Sequence, residues 1–214
     1  MMKLRARLSC AMALALAGLL LAALPLAGQD QTTIVITGNA KYRLAVPDFT
    51  SSGAVDSALQ STFNQVLWND LMQSAVLTMV GRSLYTAPPP AAESDLNNAA
   101  VRGAWTAAPL SIQRLVFGLL QVSNNNLLVD GYLYDVTQPP GNGRLLGRRY
   151  TNPATDEGAR QIAHHLANDI IAALGFGPGI AASQIAFISN RSGSQEVWTM
   201  DYDGHNQQQR THLH

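Results

Sequence analysis

Two stretches of the chain carry an apolar residue at every third or fourth position. In the first, Val55, Leu59, Phe63, Val66, Leu67 and Leu71 fall on one face of a helix of four or five turns. Ser51-Ser52-Gly53 offers its start, and Asp56 is expected in its first turn. In the second, Ala159, Ile162, Ala163, Leu166, Ile170 and Leu174 line one side. Thr155 caps that helix, Asp156 and Glu157 open it, and Gly175 stops it. Between the two, residues 115–122 and 127–136 are apolar strands joined by a turn at Ser123-Asn124-Asn125-Asn126, where Asn tolerates left-handed backbone angles. A longer turn over residues 138–143 leads to a third strand at 144–150. The β-branched run Thr32-Thr33-Ile34-Val35-Ile36-Thr37 and the stretches 42–46 and 76–80 also suit strands. A short helical stretch is expected around 95–105, after a loop with three consecutive prolines. The order predicts an α/β fold, a small mixed sheet covered by two helices.

The N-terminus changes this picture. Lys3, Arg5 and Arg7 precede an apolar run over residues 8–24, and Ala27 and Gly28 are small. That is the pattern of a secretory signal peptide over residues 1–28, cleaved after Ala27 or Gly28. An uncleaved anchor is the alternative, since a spanning helix needs about 20 apolar residues. All 14 acidic residues follow Gly28, whereas three of the 14 basic ones precede it. Removing three bases leaves 11 against 14 acids, a net charge of −3 with His neutral. This balance has no basic stripe and argues against a nucleic-acid partner. The single cysteine, Cys10, lies in the leader, which excludes disulfides, a thiol nucleophile and cysteine metal sites from the exported chain.

Candidate chemistry is sparse. Gly175-Phe176-Gly177-Pro178-Gly179 follows a helix and reads as a linker, because a dinucleotide loop follows a strand and opens a helix. Asp201-Tyr202-Asp203-Gly204 reads as a turn, because no Glu follows to complete a calcium loop. His164 and His165 are adjacent on the second helix, so they point apart and suit a solvated face better than a metal site. Asn190-Arg191-Ser192 matches a glycosylation acceptor but sits in a tight turn. No nucleophile elbow, zinc-protease motif or phosphate loop occurs, and no carboxylate pair can be assigned to acid–base work. No catalytic residue, cofactor or metal is therefore expected.

Residues 185–193 and 195–204 read as strand, turn, strand, turn, a unit that is normally half of a β-propeller blade. The sequence ends at His214, after about two such strands, and the expectation is a truncated β-propeller hairpin. The domain organisation expected is a signal peptide at 1–28, an α/β domain at 29–174, a linker at 175–183 and the first strands of an incomplete propeller at 184–214. An isolated hairpin is marginal in water, so this last part is expected to be mobile or to pack opportunistically.

Several of these residues resemble one family. Ser189-Asn190-Arg191-Ser192-Gly193, then Glu196-Val197-Trp198-Thr199-Met200-Asp201-Tyr202-Asp203-Gly204, then Asn206 and Arg210-Thr211 are similar to the first propeller repeat of TolB proteins of the Tol-Pal system. Ile34-Val35-Ile36-Thr37-Gly38, Leu44-Ala45-Val46-Pro47-Asp48-Phe49, Trp105, Val116-Phe117-Gly118 and Leu133-Tyr134-Asp135-Val136 are similar in order and spacing to the TolB N-terminal domain. Where relatives often carry an acidic residue, this chain has Asn39. The resemblance implies a periplasmic, non-catalytic adaptor linking inner membrane, cell wall and outer membrane and supporting constriction at division. It implies a TolA-like inner-membrane partner and a Pal-like lipoprotein partner, the latter bound by a propeller that this sequence lacks beyond its first hairpin. Carried over by position, Gln29, Asp30, Gln31, Thr32, Thr33, Ile34 and Val35 would dock a partner, as an extended peptide can add to a sheet edge. The run 32–37 equally reads as an internal strand, and both roles stay open. Similar repeats occur in peptidase propellers, so an exported peptidase with a missing hydrolase domain is the alternative function. A free-standing envelope binding domain with the hairpin as a tail is a third.

Overall fold

The computed structural model describes residues 42–212. The leader, the docking segment 29–35, the run 32–37 and Asn39 lie outside the described residues.

The main sheet contains β1 (Arg43–Ala45), β2 (Thr50–Ser52), β3 (Thr78–Met79), β4 (Arg114–Ser123), β5 (Asn126–Asp135) and β6 (Arg144–Pro153). Its order is β3-β1-β4-β5-β6. β1 and β2 lie successively along the same side of β4, both parallel to it, and β4, β5 and β6 form the antiparallel meander. Asn124 and Asn125 turn the first hairpin with φ of 50° and 60°, the backbone a two-residue hairpin of this twist requires.

Pro47 and Asp48 break the first strand in two, and the backbone there needs partners off the ladder. Helix α1 (Ser57–Gln73) supplies them. Asn64 Oδ1 accepts the Phe49 N–H at 2.8 Å, and Gln60 Nε2 donates to the Phe49 carbonyl at 2.7 Å. The Phe49 ring then lies over Gly118 of β4, where an added Cβ would sit 2.4 Å from the ring and 2.0 Å from the Asp130 carbonyl oxygen. The α1 start differs from the sequence expectation. Residues 50–52 belong to β2, and Asp56 is the N-cap, accepting the Ala58 N–H at 2.7 Å, rather than a first-turn residue. A serine pair can cap a helix or pair as strand, and β4 supplies the strand partner.

Helix α2 (Ala99–Thr106) and a 3-10 segment at Glu93–Asn97 share the expected short helical stretch, divided at Asn98, whose side chain caps α2 at Ala100 N–H. Helix α3 (Asp156–Ala173) begins at Thr155, whose hydroxyl accepts the Gly158 N–H at 3.1 Å.

Alternation along the meander separates two cores. Val116, Leu120, Leu127, Val129 and Leu133 face α1 and α3 on one side. Leu115, Phe117, Tyr134 and Val136 face Trp105, Leu110 and Ile112 on the other. Gly131 opens space for Leu166 of α3, whose methyl groups would lie about 3 Å from any Cβ there. Each fully buried Leu or Phe contributes about 1.5–3 kcal/mol, so these two faces account for most of the fold's cohesion. The predicted α/β fold, a mixed sheet covered by two long helices, is present. The sequence pattern gave no warning that the second sheet face also has a cover.

A separate ribbon follows: β7 (Gln184–Ser189), β8 (Glu196–Asp201) and β9 (Gln208–Gln209), all antiparallel. Phe187 and Trp198 are cross-strand partners, and the Arg191 guanidinium stacks 4.5 Å from the Trp198 ring centre. The ribbon leaves Ile188 71% and Val197 39% exposed.

Candidate functional site

The residues singled out by sequence fall in separate places. Gln29, Asp30, Gln31, Thr32, Thr33, Ile34 and Val35 lie outside the described residues. Gly175-Phe176-Gly177-Pro178-Gly179 forms no phosphate cradle. Gly175 and Gly177 take φ of 84° and 86°, and the segment then runs back along α3. Gly179 lies so close to Asn168 that a Cβ would fall 2.5 Å from its Cα, and Asn168 Oδ1 accepts the Ala181 N–H at 2.7 Å. The segment is thus a strap held on α3, and it delivers β7 next to the helix pair. Asp201-Tyr202-Asp203-Gly204 forms the expected turn, with the Gly204 N–H donating to the Asp201 carbonyl at 2.9 Å and Gly204 at φ 82°.

The His164–His165 reading needs correction. His165 is exposed as expected, but His164 is buried, 5% exposed. Its neighbours Ala163, Ala167 and Leu166 are core residues, and the helix turns it onto α1 rather than into solvent. There its Nδ1 lies 2.7 Å from Asp70 Oδ2. Asp70, on the apolar side of α1, is itself only 3% exposed. Periodicity places Asp70 on the apolar face of α1, but the pattern of a single helix cannot show that His164, at the border of the α3 face, turns onto it.

The ribbon adds a third member. Its 201–204 turn carries Asp203 to the same place, with Oδ2 3.8 Å from His164 Nε2 and 2.6 Å from Arg160 Nη1. Arg160 Nε bonds Asp156 Oδ2 at 2.9 Å, and Asp156 Oδ1 accepts the Thr62 hydroxyl at 2.7 Å. One polar chain therefore runs from α1 through α3 to the ribbon. His164 Nε2 and Asp70 Oδ1 have no hydrogen-bond partner among the described residues.

The electrostatics follow from burial and charge. Burial alone would lower the His164 pKa, but the bond to Asp70 and then the charges of Asp70, Asp203 and Asp201 outweigh it and hold the imidazole above its ordinary 6.5. Burial raises Asp70, against the opposing pull of His164. The Thr62 hydroxyl, then Arg160, hold Asp156 below the ordinary carboxylate value. A buried ion pair of this kind roughly breaks even against an apolar pair, whereas removing one partner costs about 3–5 kcal/mol. The Asp70–His164 pair ties α1 to α3, and Asp203 ties the ribbon to α3 through Arg160.

Beside this chain, a cavity of about 210 Å³ opens between the end of α1, α3 and the strap, with Val76, Ile171, Phe176 and Tyr202 in its wall. Among the described residues, no cluster of three or more His, Cys, Asp or Glu is placed to hold a metal. No described helix is long and apolar enough to cross a membrane. Among the described residues, no strand pairs with the outer side of β6, which carries Arg144, Arg148 and Arg149. Such arginines blunt an edge against indiscriminate pairing.

The fold and site define an α/β domain with an antiparallel ribbon docked on its helix pair through a buried polar chain. The crystal structure of TolB from Acinetobacter baumannii has the same fold over 79% of this chain and 38% of its own, with a TM-score of 0.59 and 22% identity. Curated relatives are closer in sequence. The Tol-Pal system protein TolB of Geobacter metallireducens is 37% identical over 139 residues, 63% of this chain and 30% of that protein. That of Geobacter sulfurreducens is 31% identical over 162 residues, 74% of this chain and 34% of that protein. That of Cereibacter sphaeroides is 30% identical over 209 residues, 94% of this chain and 44% of that protein. No family model matches the chain. The chain belongs to the TolB family, and it spans 30–44% of the length of these relatives.

Proposed function

We propose that this chain is the partner-docking part of a non-catalytic adaptor in the Tol-Pal envelope system, exported to the periplasm by residues 1–28. The observation that carries the proposal is the 31% identity over 74% of the chain to a curated Tol-Pal system protein TolB. In this reading residues 29–174 form the docking domain, residues 175–183 join it to the next, and residues 184–214 are the first strands of a β-propeller. The antiparallel order of β7, β8 and β9 and the exposed Ile188 and Val197 support that last assignment, because a blade would cover them in a complete ring. The Pal-like lipoprotein would bind the rest of such a propeller, and the TolA-like inner-membrane protein would bind here. The system would thereby link inner membrane, cell wall and outer membrane during constriction.

Gln29, Asp30, Gln31, Thr32, Thr33, Ile34 and Val35 are the proposed docking peptide. A β-branched segment loses little side-chain freedom on extension and offers backbone N–H and C=O groups to a partner's sheet edge. Calorimetry of the exported chain against the TolA-like partner, with and without residues 29–35, tests this. Deletion is expected to abolish measurable binding while leaving the folded domain intact. Equal affinity of the two forms would refute the assignment.

A further inference from the structure

The buried polar chain joins the helix pair to the terminal ribbon, beside the apolar contact that Tyr202 makes with the core. The strap and the 201–204 turn bring the ribbon to α3, and the turn meets the helix pair through Asp203. Neither Asp203 nor Asp70 is bonded by His164 Nε2. In a neutral imidazole whose Nδ1 donates to Asp70, Nε2 carries only a lone pair. That lone pair would face the Asp203 carboxylate, 3.8 Å away and shielded from water. An acceptor against an acceptor is repulsive, and a buried nitrogen without a partner is costly. Adding one proton changes both contacts at once. Nε2–H then points at Asp203 while Nδ1–H stays on Asp70, and a single cation lies between two carboxylates from two different elements.

We propose that His164 is a proton-operated bolt: protonated, it fastens the terminal ribbon to the helix pair, and on losing its proton it lets the ribbon loosen. The inference is independent of the adaptor reading, since it needs only this chain. Facing His164 are Asp70 from α1, Asp203 and Asp201 from the ribbon, and Arg160 one turn earlier on α3, with Glu157 and His165 bordering the adjoining cleft. Arg160 stays charged and keeps its bond to Asp203, so it holds part of the contact at every pH. The direction follows from the sign of the shift. An imidazole held above 6.5 in the folded state strengthens docking below that value, and the contribution is lost as pH rises through the folded pKa. The other histidine near an acidic group is the ribbon's His205, whose Nε2 lies 4.0 Å from Asp156 Oδ2 on the exposed side, so it serves as the control.

The test is amide hydrogen exchange on the full chain between about pH 6 and about pH 9, corrected for intrinsic rates, with NMR titration of the histidine rings alongside. Protection in residues 184–201 should fall about tenfold relative to residues 114–135, with a midpoint matching the His164 ring. H164Q should flatten this dependence and H205Q should preserve it. If H164Q does not fold, D203N takes its place and should lower the His164 midpoint and reduce the slope. Ribbon protection that ignores pH in the unaltered chain would overturn the proposal. So would H164Q or D203N with the original slope, or H205Q without one.

Discussion

Single residues settle several features of this molecule. Gly118 is the clearest, because Phe49 and the Asp130 carbonyl leave no room for a methyl group. The obstacles are a packed ring and a backbone oxygen, neither of which can swing away. G118A is therefore expected to destabilise the fold by about 1–3 kcal/mol or more, through overpacking. A fall in the urea midpoint with an unchanged slope measures it. Tyr134 makes a second residue-scale case. Burial, then the bond its hydroxyl donates to Glu93 at 2.6 Å and the Glu93 charge, push its pKa up to about 12. A raised folded value means that the contribution is complete below the ordinary 10.0 and disappears as pH climbs through about 12. Tyrosine-ring NMR should show Tyr134 still protonated where an ordinary phenol is half ionised, and E93Q should lower its midpoint. A Tyr134 midpoint at the ordinary value would refute the account. Neither pairing was legible in the sequence, since Phe49 and Gly118, like Glu93 and Tyr134, are brought together only by the tertiary fold.

Among the elements, legibility depended on how local the deciding interaction is. The meander strands, the Asn124-Asn125 turn and α3 stand where the pattern places them, because turn chemistry, alternation and capping all act over a few residues. Thr155 is the sharpest instance. Its hydroxyl satisfies an otherwise unpaired N–H, and Asp156 and Glu157 follow in the favourable first turn. T155A should cost about 0.5–2 kcal/mol, read by chemical denaturation, and T155S should recover most of it. The α1 start was misread for the opposite reason. Ser51 and Ser52 have good capping chemistry, but pairing of Ser51 with Leu120 and Ser52 with Gln121 claims them for β2. The strand expected at 76–80 shrinks to Thr78–Met79, since its partner β1 is itself only three residues long.

Over the whole molecule, the strap decides how the ribbon relates to the domain. A Pro- and Gly-rich stretch reads as a linker, and Asn168 fixes Ala181 while Gly179 fits against α3 with no space to spare. Placing a methyl group at Gly179 should lift the strap without touching the sheet. G179A is expected to speed proteolytic cleavage between residues 176 and 184 by about tenfold while the thermal transition of the sheet moves little. Unchanged cleavage would mean that the strap does not hold the ribbon. The ribbon contacts the helix pair through its 201–204 turn. Asp203 is pinned by Arg160 on α3, and the Arg160–Asp156–Thr62 bonds extend that hold to α1.

The amino-acid order alone determined the long helices and the meander strands, the main apolar faces, the turn chemistry of the meander and the family resemblance. All of these are set by contacts within a few residues or by matching patterns. The meeting of Asp70, His164 and Asp203 was decided by tertiary structure, and so was the second cover of the sheet. Residues 70, 164 and 203 come from three elements far apart in the chain, and a buried imidazole between two carboxylates arises only when two helix faces and a ribbon turn converge in space.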